Sequence, residues 1–241
     1  MPTKLESVVI DAADPPALAA FWAAALGWEI ASQSQEETVV EPPGSTPGIS
    51  LVLVSVTDRK EAKNRLHLDL ASTSAADQAA IVDRLRGLGA TPVDVGQRDV
   101  PWVVLADPEG NELCVLDPRP EYERCGAVAA VVLDVDDPHR LAPFWSAATG
   151  WPVARTGEGF ASLRPPDRDG PWLELIHVDD PKRGKNRLHL DVAPPPEDDQ
   201  AAEVERLLAL GATRADVGQG DVRWVVLADP EGNELCVLTP R

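Results

Sequence analysis

The sequence predicts an α+β protein of two tandem domains, each built from paired β-α-β-β-β halves that form a curled mixed sheet. Three observations carry this. KNRLHLDL at 63–70 returns as KNRLHLDV at 185–192, 122 residues later. WVVLADPEGNELCVL at 102–116 returns unchanged at 224–238, and FWAAALGW at 21–28 matches FWSAATGW at 144–151. Self-similarity at that spacing is a duplication of a domain-sized unit, and 241 residues accommodate two such units. The boundary falls at DPRPEYERCG, 117–126, where prolines and charges interrupt the apolar pattern. The predicted domains are therefore 1–120 and 126–241.

Each repeat carries the same order of elements. An alternating strand (5–11; 129–135) leads through DAADPP or DVDDPH into a compact helix (17–26; 141–149). Gly27 or Gly150 supplies the stop, since glycine accepts the left-handed conformation that ends helices. Asp11, Asp14, Asp134, Asp136 and Asp137 read as turn and helix-start acceptors. Further strands follow, joined by EPPGSTPG or RPPDRDGP connections. The second half opens with a strand at 66–70, continues through a helix at about 75–88, and ends in two strands. These are joined by Asp107-Pro108-Glu109-Gly110-Asn111, a turn because Pro108 fixes one φ and Gly110 tolerates the unusual one. Glu109 and Glu112 beside it read as solvated.

Strand alternation places Leu66, Leu68 and Leu70 on one face and Arg65, His67 and Asp69 on the other. Arg187, His189 and Asp191 repeat that polar stripe. A solvated face would explain it, but the recurrence of histidine favours a ligand-binding patch. Cys114 and Cys236, on the closing strands, would reach the same side in a curled sheet; cysteine there otherwise reads as a small buried hydrophobe. The seven tryptophans outnumber three Phe and one Tyr. Trp22 and Trp145 lie on the helices and pack inward, whereas Trp102 and Trp224 begin the penultimate strands and are the candidates for a pocket wall.

The net charge of −18 repels a phosphate backbone or an anionic membrane surface, so neither nucleic acid nor membrane is an expected partner. With 44% hydrophobic residues the chain can bury a core. No apolar run approaches a membrane span and no secretory signal is evident, which predicts a cytoplasmic protein. Three cysteines without CxxC spacing argue against a disulfide framework or a zinc knuckle.

Together FWAAALGW, RLHLDL, LRGLGAT and DPEGNELCVL, with their second-repeat counterparts, resemble the vicinal-oxygen-chelate superfamily, specifically its glyoxalase-like domains. That superfamily includes bleomycin-resistance proteins and extradiol dioxygenases. The resemblance implies four metal-ligand places per site. The opening-strand place holds Ser7 or Ala130, the second-half strand holds His67 or His189, and the late glutamate place holds Cys114 or Cys236. Glu112 and Glu234 stand two residues earlier. The remaining place falls within 51–53 in the first repeat and at Glu174 in the second, so Glu174, His189 and Cys236 are the candidate metal set.

With so few matching ligands, the leading expectation is metal-independent binding of a small organic molecule, for sequestration or resistance, with no cofactor. Arg65, His67, Asp69, Trp102, Cys114 and Arg187, His189, Asp191, Trp224, Cys236 are its candidate contacts. The alternatives are a divalent-metal-dependent lyase, isomerase or dioxygenase acting on a vicinal-oxygen substrate, or a protein-interaction module. Tandem domains can pair intramolecularly, which favours a monomer.

Overall fold

The computed structural model describes residues 3–241. In the first repeat β1 (Lys4–Ala12) is followed by α1 (Pro15–Leu26), β2 (Glu29–Gln33), β3 (Glu37–Glu41) and β4 (Ser50–Ser55). Its second half is β5 (Leu66–Leu70), α2 (Ala75–Gly87), β6 (Thr91–Pro92), β7 (Val103–Ala106) and β8 (Glu112–Val115). After a 3-10 turn at Pro120–Tyr122, the second repeat runs β9 (Val128–Val135), α3 (Pro138–Thr149), β10 (Val153–Gly157), β11 (Phe160–Leu163) and β12 (Trp172–His177). It closes with β13 (Leu188–Ala193), α4 (Gln200–Ala209), β14 (Thr213–Arg214), β15 (Val225–Ala228) and β16 (Glu234–Val237).

Local chemistry sets the helix ends. Asp14 caps α1 by accepting from the Ala17 amide, and Asp137 caps α3 by accepting from the His139 and Arg140 amides. Gly27 and Gly150 end the two helices at φ 69° and 72°, a region where a side chain would be strained.

The sheets depart from the expectation of a curled sheet in each domain. Two open eight-stranded sheets form instead, in the orders β14-β15-β16-β13-β1-β4-β3-β2 and β10-β11-β12-β9-β5-β8-β7-β6. Each takes the first half of one repeat and the second half of the other. In the first sheet β1 pairs antiparallel with β13, from Lys4 opposite Ala193 to Ile10 opposite Leu188. In the second, β5 pairs antiparallel with β9, with His67 opposite Val132. The end strands, β14 with β2 and β10 with β6, lie at opposite extremes of each order and do not pair, so neither sheet closes. The near identity of the repeats permits this: RLHLDL and RLHLDV offer β1 and β9 equivalent pairing edges, and the inter-repeat pairings join the four halves.

Alternation divides each sheet as the sequence requires. Leu66, Leu68, Leu70, Leu113 and Val115 point into the main core, together with Val131 and Leu133 of β9 and the buried faces of the helices. Trp22 and Trp145 pack in that core, and their indole N–H groups donate to Asp107 Oδ2 (3.3 Å) and Asp229 Oδ2 (3.1 Å) in the two DPEGN turns. These buried carboxyls also accept the Asn111 and Asn233 amides, which makes the turn a rigid base for the closing hairpin. Among the described residues, no helix is long and apolar enough to cross a membrane.

The turn glutamates are not solvated. Glu109 accepts from the Ala13 and Asp14 amides at the start of α1, and Glu231 does the same for Asp136 and Asp137 before α3. Glu112 is 8% exposed and accepts from Lys60 Nζ (2.7 Å) and the Asn64 amide (3.1 Å). Each repeat is thus clamped across the two sheets by its own DPEGN turn.

Candidate metal centres

The opposite face of each sheet carries a cluster of donors. On the second sheet His67 and Asp69 stand two residues apart on β5, and Asp69 is in register with Cys114 of parallel β8. A side-chain period of two and strand spacing near 4.8 Å bring the three together. One ligand atom from each lies within 4.8 Å of the others, and His189, Asp191 and Cys236 form the same cluster on the first sheet. All six side chains are buried or half-buried.

The two clusters differ electrostatically. His67 Nε2 lies 3.3 Å from Asp69 Oδ1. Burial opposes the His67 charge, but the Asp69 carboxylate, with Asp134 behind it, raises its pKa above the ordinary imidazole value. His189 instead contacts Cys236 Sγ at 3.3 Å and stands 3.5 Å from Asp191. Burial and the Lys185 charge push its pKa down to about 3, so this imidazole is neutral. Asp191 is pushed up to about 7 by burial, against the Ser7 hydroxyl that donates to it at 3.2 Å. Burial, then the neighbouring aspartate, holds both cysteine thiols far above their usual value.

The residues fit a metal by the chemistry of their donors. Imidazole, carboxylate and thiolate together suit zinc, iron(II) or cobalt(II) better than magnesium or calcium. Asp69 Oδ1 and Asp191 Oδ1 are buried and have only the 3.3 and 3.5 Å ion-pair contacts with their histidines, and His189 Nδ1 is a buried atom with no hydrogen-bond partner. Such atoms are costly unless something satisfies them. A thiol that resists ionisation in this setting is one that a bound cation would deprotonate.

The half-exchange regroups the candidates. Glu174, expected beside His189 and Cys236, lies on β12 of the second sheet, in register with Val132 and through it with His67. The matching row on the first sheet runs His189, Val9, Val52, so that centre has valine where the other has glutamate. Glu174 is pushed up to about 6, first by burial and then by the Asp69 charge. It accepts from the Tyr122 hydroxyl at 3.2 Å. Tyr122 is not among the sequence-derived candidates, although it is the chain's sole tyrosine and sits in the linker.

Other candidates are placed elsewhere. Arg65 donates to the Asp180 and Asp134 carbonyls (both 2.6 Å), and Arg187 to those of Asp58 (2.9 Å) and Asp11 (2.7 Å). They bridge the repeats and line a cavity of about 380 Å³ between the 58–65 and 180–187 loops, away from the histidines they were expected to assist. Ion pairs of Lys63 with Asp134 and Lys185 with Asp11 bind the same junction. Trp102 packs against the apolar cluster of the second-sheet face, with the Arg119 guanidinium 5.7 Å from its ring centre. Trp224, its counterpart, is 41% exposed.

A duplicated β-α-β-β-β unit with donor clusters on both sheets defines a tandem vicinal-oxygen-chelate protein. The sequence matches the glyoxalase-like domain family over residues 7–116 and 130–238, and the chain belongs to that family. No curated protein sequence matches it. Among solved structures it is similar to glyoxalase I from Zea mays, with a TM-score of 0.69, 13% identity, and coverage of 98% of this chain and 92% of that one. It is also similar to a putative dioxygenase from Bacillus subtilis subsp. subtilis str. 168, with a TM-score of 0.66, 12% identity, and coverage of 99% and 85%. At such identities the likeness is one of fold. The expectation of metal-independent binding is the less favoured one: two three-donor clusters support the metal-dependent alternative.

Proposed function

We propose that the chain is a metal-dependent enzyme of the lyase, isomerase or dioxygenase class, acting on a small molecule with adjacent oxygen atoms at the second-sheet face. The observation that carries this reading is the convergence of buried donor atoms from His67, Asp69 and Cys114, within 4.8 Å of one another, on the face that also bears Glu174. His67, Asp69 and Cys114 would hold the ion. The chemistry supplied at that place, when a divalent cation is bound, would be polarisation of substrate oxygens and stabilisation of developing negative charge. The chain's own residues do the rest. Glu174 offers a carboxyl group that can take up or return a proton at Oε, and its hydrogen bond with Tyr122 fixes its orientation. Trp172 and Val132 give the face an apolar floor that excludes water. The same features support a small-molecule partner over a protein one.

Cobalt(II) titration tests the reading. Stoichiometric binding with a thiolate-to-cobalt absorption band that disappears in Cys114→Ser is the expected result, with turnover of a vicinal-oxygen substrate lost on chelation and restored by one metal. Absence of stoichiometric binding would return the function to a metal-free pocket.

A further inference from the structure

The linker does more than join the repeats. Tyr122 is 6% exposed and shares one buried cluster with Val104, Cys114, Ala130, Val132 and Trp172, all on the second-sheet face. Its hydroxyl reaches Glu174, and the Arg119 guanidinium stands 5.9 Å from its ring centre. The segment is tied down beside it. Trp172 Nε1 donates to the Glu121 carbonyl (3.2 Å), and Arg155 pairs with the Glu121 carboxylate (3.2 Å). A phenol ring therefore already lies on the face that bears the donor cluster, with an acceptor for its hydroxyl, a cation for its π-system and apolar contacts for its edges.

We propose that Tyr122 is the specificity-determining residue of the second-sheet centre: it holds the place of a ligand's aromatic ring, and the ligand class this face accepts is a small phenol that displaces it. This rests on the reading of that face as a small-molecule site. A free phenol would repeat each contact that the tyrosine makes, and the polar one selects it, because a ring without a hydroxyl leaves Glu174 without its donor. The first-sheet face lacks this selection, since Val52 stands where Glu174 does. The tethered ring competes with any free one, so occupancy requires the linker to withdraw.

The test uses the full chain as Tyr122→Ala, and as Tyr122→Leu, which retains apolar bulk for folding. The probes are p-cresol, the tyrosine side chain as a free molecule, and toluene, the same ring without its hydroxyl. Binding is read by calorimetry, and access to the site by methyl methanethiosulfonate labelling of Cys114, with Cys236 as an internal standard for intact folding. Both variants are expected to label at Cys114 at least about tenfold faster relative to Cys236 than the wild type does. p-Cresol is expected to restore protection and to bind about tenfold more tightly than toluene, the worth of one hydrogen bond to a charged acceptor. Glu174→Gln in the Tyr122→Ala background is expected to reduce that preference. An unchanged Cys114-to-Cys236 ratio would show that Tyr122 covers nothing, and equal affinity for the two probes would overturn the phenol assignment. Neither readout needs a metal, so failure here is separate from failure of the cobalt titration.

Discussion

Replacing Glu109 by alanine removes a contact that joins the two sheets within one repeat. Its carboxylate accepts from the Ala13 amide at 2.8 Å and the Asp14 amide at 3.0 Å, and receives Arg187 Nη2 at 3.3 Å. The amides precede α1, where an anion is also favoured by the helix dipole. Hydrogen bonds to a charged group contribute about 1.5–3 kcal/mol each, and the 16% exposure of the Glu109 side chain leaves some of that to water. A total loss of roughly 3 kcal/mol follows for Glu109→Ala, and about half of it for Glu109→Gln, which keeps an acceptor but no charge. Urea unfolding at pH 7, followed by tryptophan fluorescence, should show the midpoint falling by about 1 M with an unchanged slope, taking a slope near 3 kcal/mol/M for a chain of this size. Glu231→Ala, the equivalent change, should cost a similar amount. A loss below about 0.5 kcal/mol for Glu109→Ala would place this contact with ordinary surface pairs and refute the clamp.

Because each sheet contains strands from both repeats, neither repeat can unfold while leaving a sheet intact; calorimetry should show one cooperative transition, and two resolved transitions would contradict the half-exchange. Glu174 has a folded-state value of about 6, above its ordinary 4.5, so the metal-free protein binds that proton more tightly when folded. Its contribution to stability is therefore greatest below pH 4.5 and declines as pH rises through about 6, by roughly 2 kcal/mol in all; Glu174→Gln should flatten this part of the stability–pH curve. Gly126 has φ 74° and a Cβ there would lie 2.3 Å from the Pro47 carbonyl oxygen, whereas a Cβ at Gly27, φ 69°, meets nothing within 4 Å. Gly126→Ala should cost at least about 3 kcal/mol and Gly27→Ala only about 1, measured as the difference in unfolding free energy.

The individual elements were legible because each depends on local chemistry. Alternation in RLHLDL gives β5 and its two faces, and Asp14, Asp137, Gly27 and Gly150 mark the ends of α1 and α3. Pairing between elements was not legible, and the duplication is the cause. A β1 strand meets almost the same residues whether it pairs with 66–70 or with 188–193, so no pattern in the chain distinguishes a sheet within one repeat from a sheet across two. The solvated reading of Glu109 and Glu112 failed for a related reason: both are satisfied by partners far away in sequence, at Ala13 and Lys60. His67, Asp69 and Cys114 could be proposed from strand faces, but Tyr122 could not, because a linker residue acquires its place only from the packing around it.

The half-exchange also explains how two nearly identical repeats produce two unlike centres. The donor triads lie on the second halves, which are almost the same sequence, so both sheets inherit histidine, aspartate and cysteine in one geometry. The residues facing them come from the first halves, where the repeats have diverged. Crossing over gives the first repeat's triad the second repeat's Glu174, together with the linker's Tyr122, and gives the second repeat's triad Ser7 and Val52. The protonation states follow from that exchange. His67 is drawn toward its charged form by Asp69, while His189 stays neutral beside an aspartate whose proton is held to about pH 7. A cation binding to the first-sheet cluster must displace that aspartate proton as well as the thiol proton, whereas at the second sheet it must displace the proton that Asp69 favours on His67 as well as the thiol proton. Metal binding at both sheets should therefore weaken as pH falls, at the first sheet because Asp191 takes up its proton near pH 7 and at the second because His67 becomes charged, even though the three donors are the same; replacing Asp191 by asparagine should flatten only the first-sheet dependence.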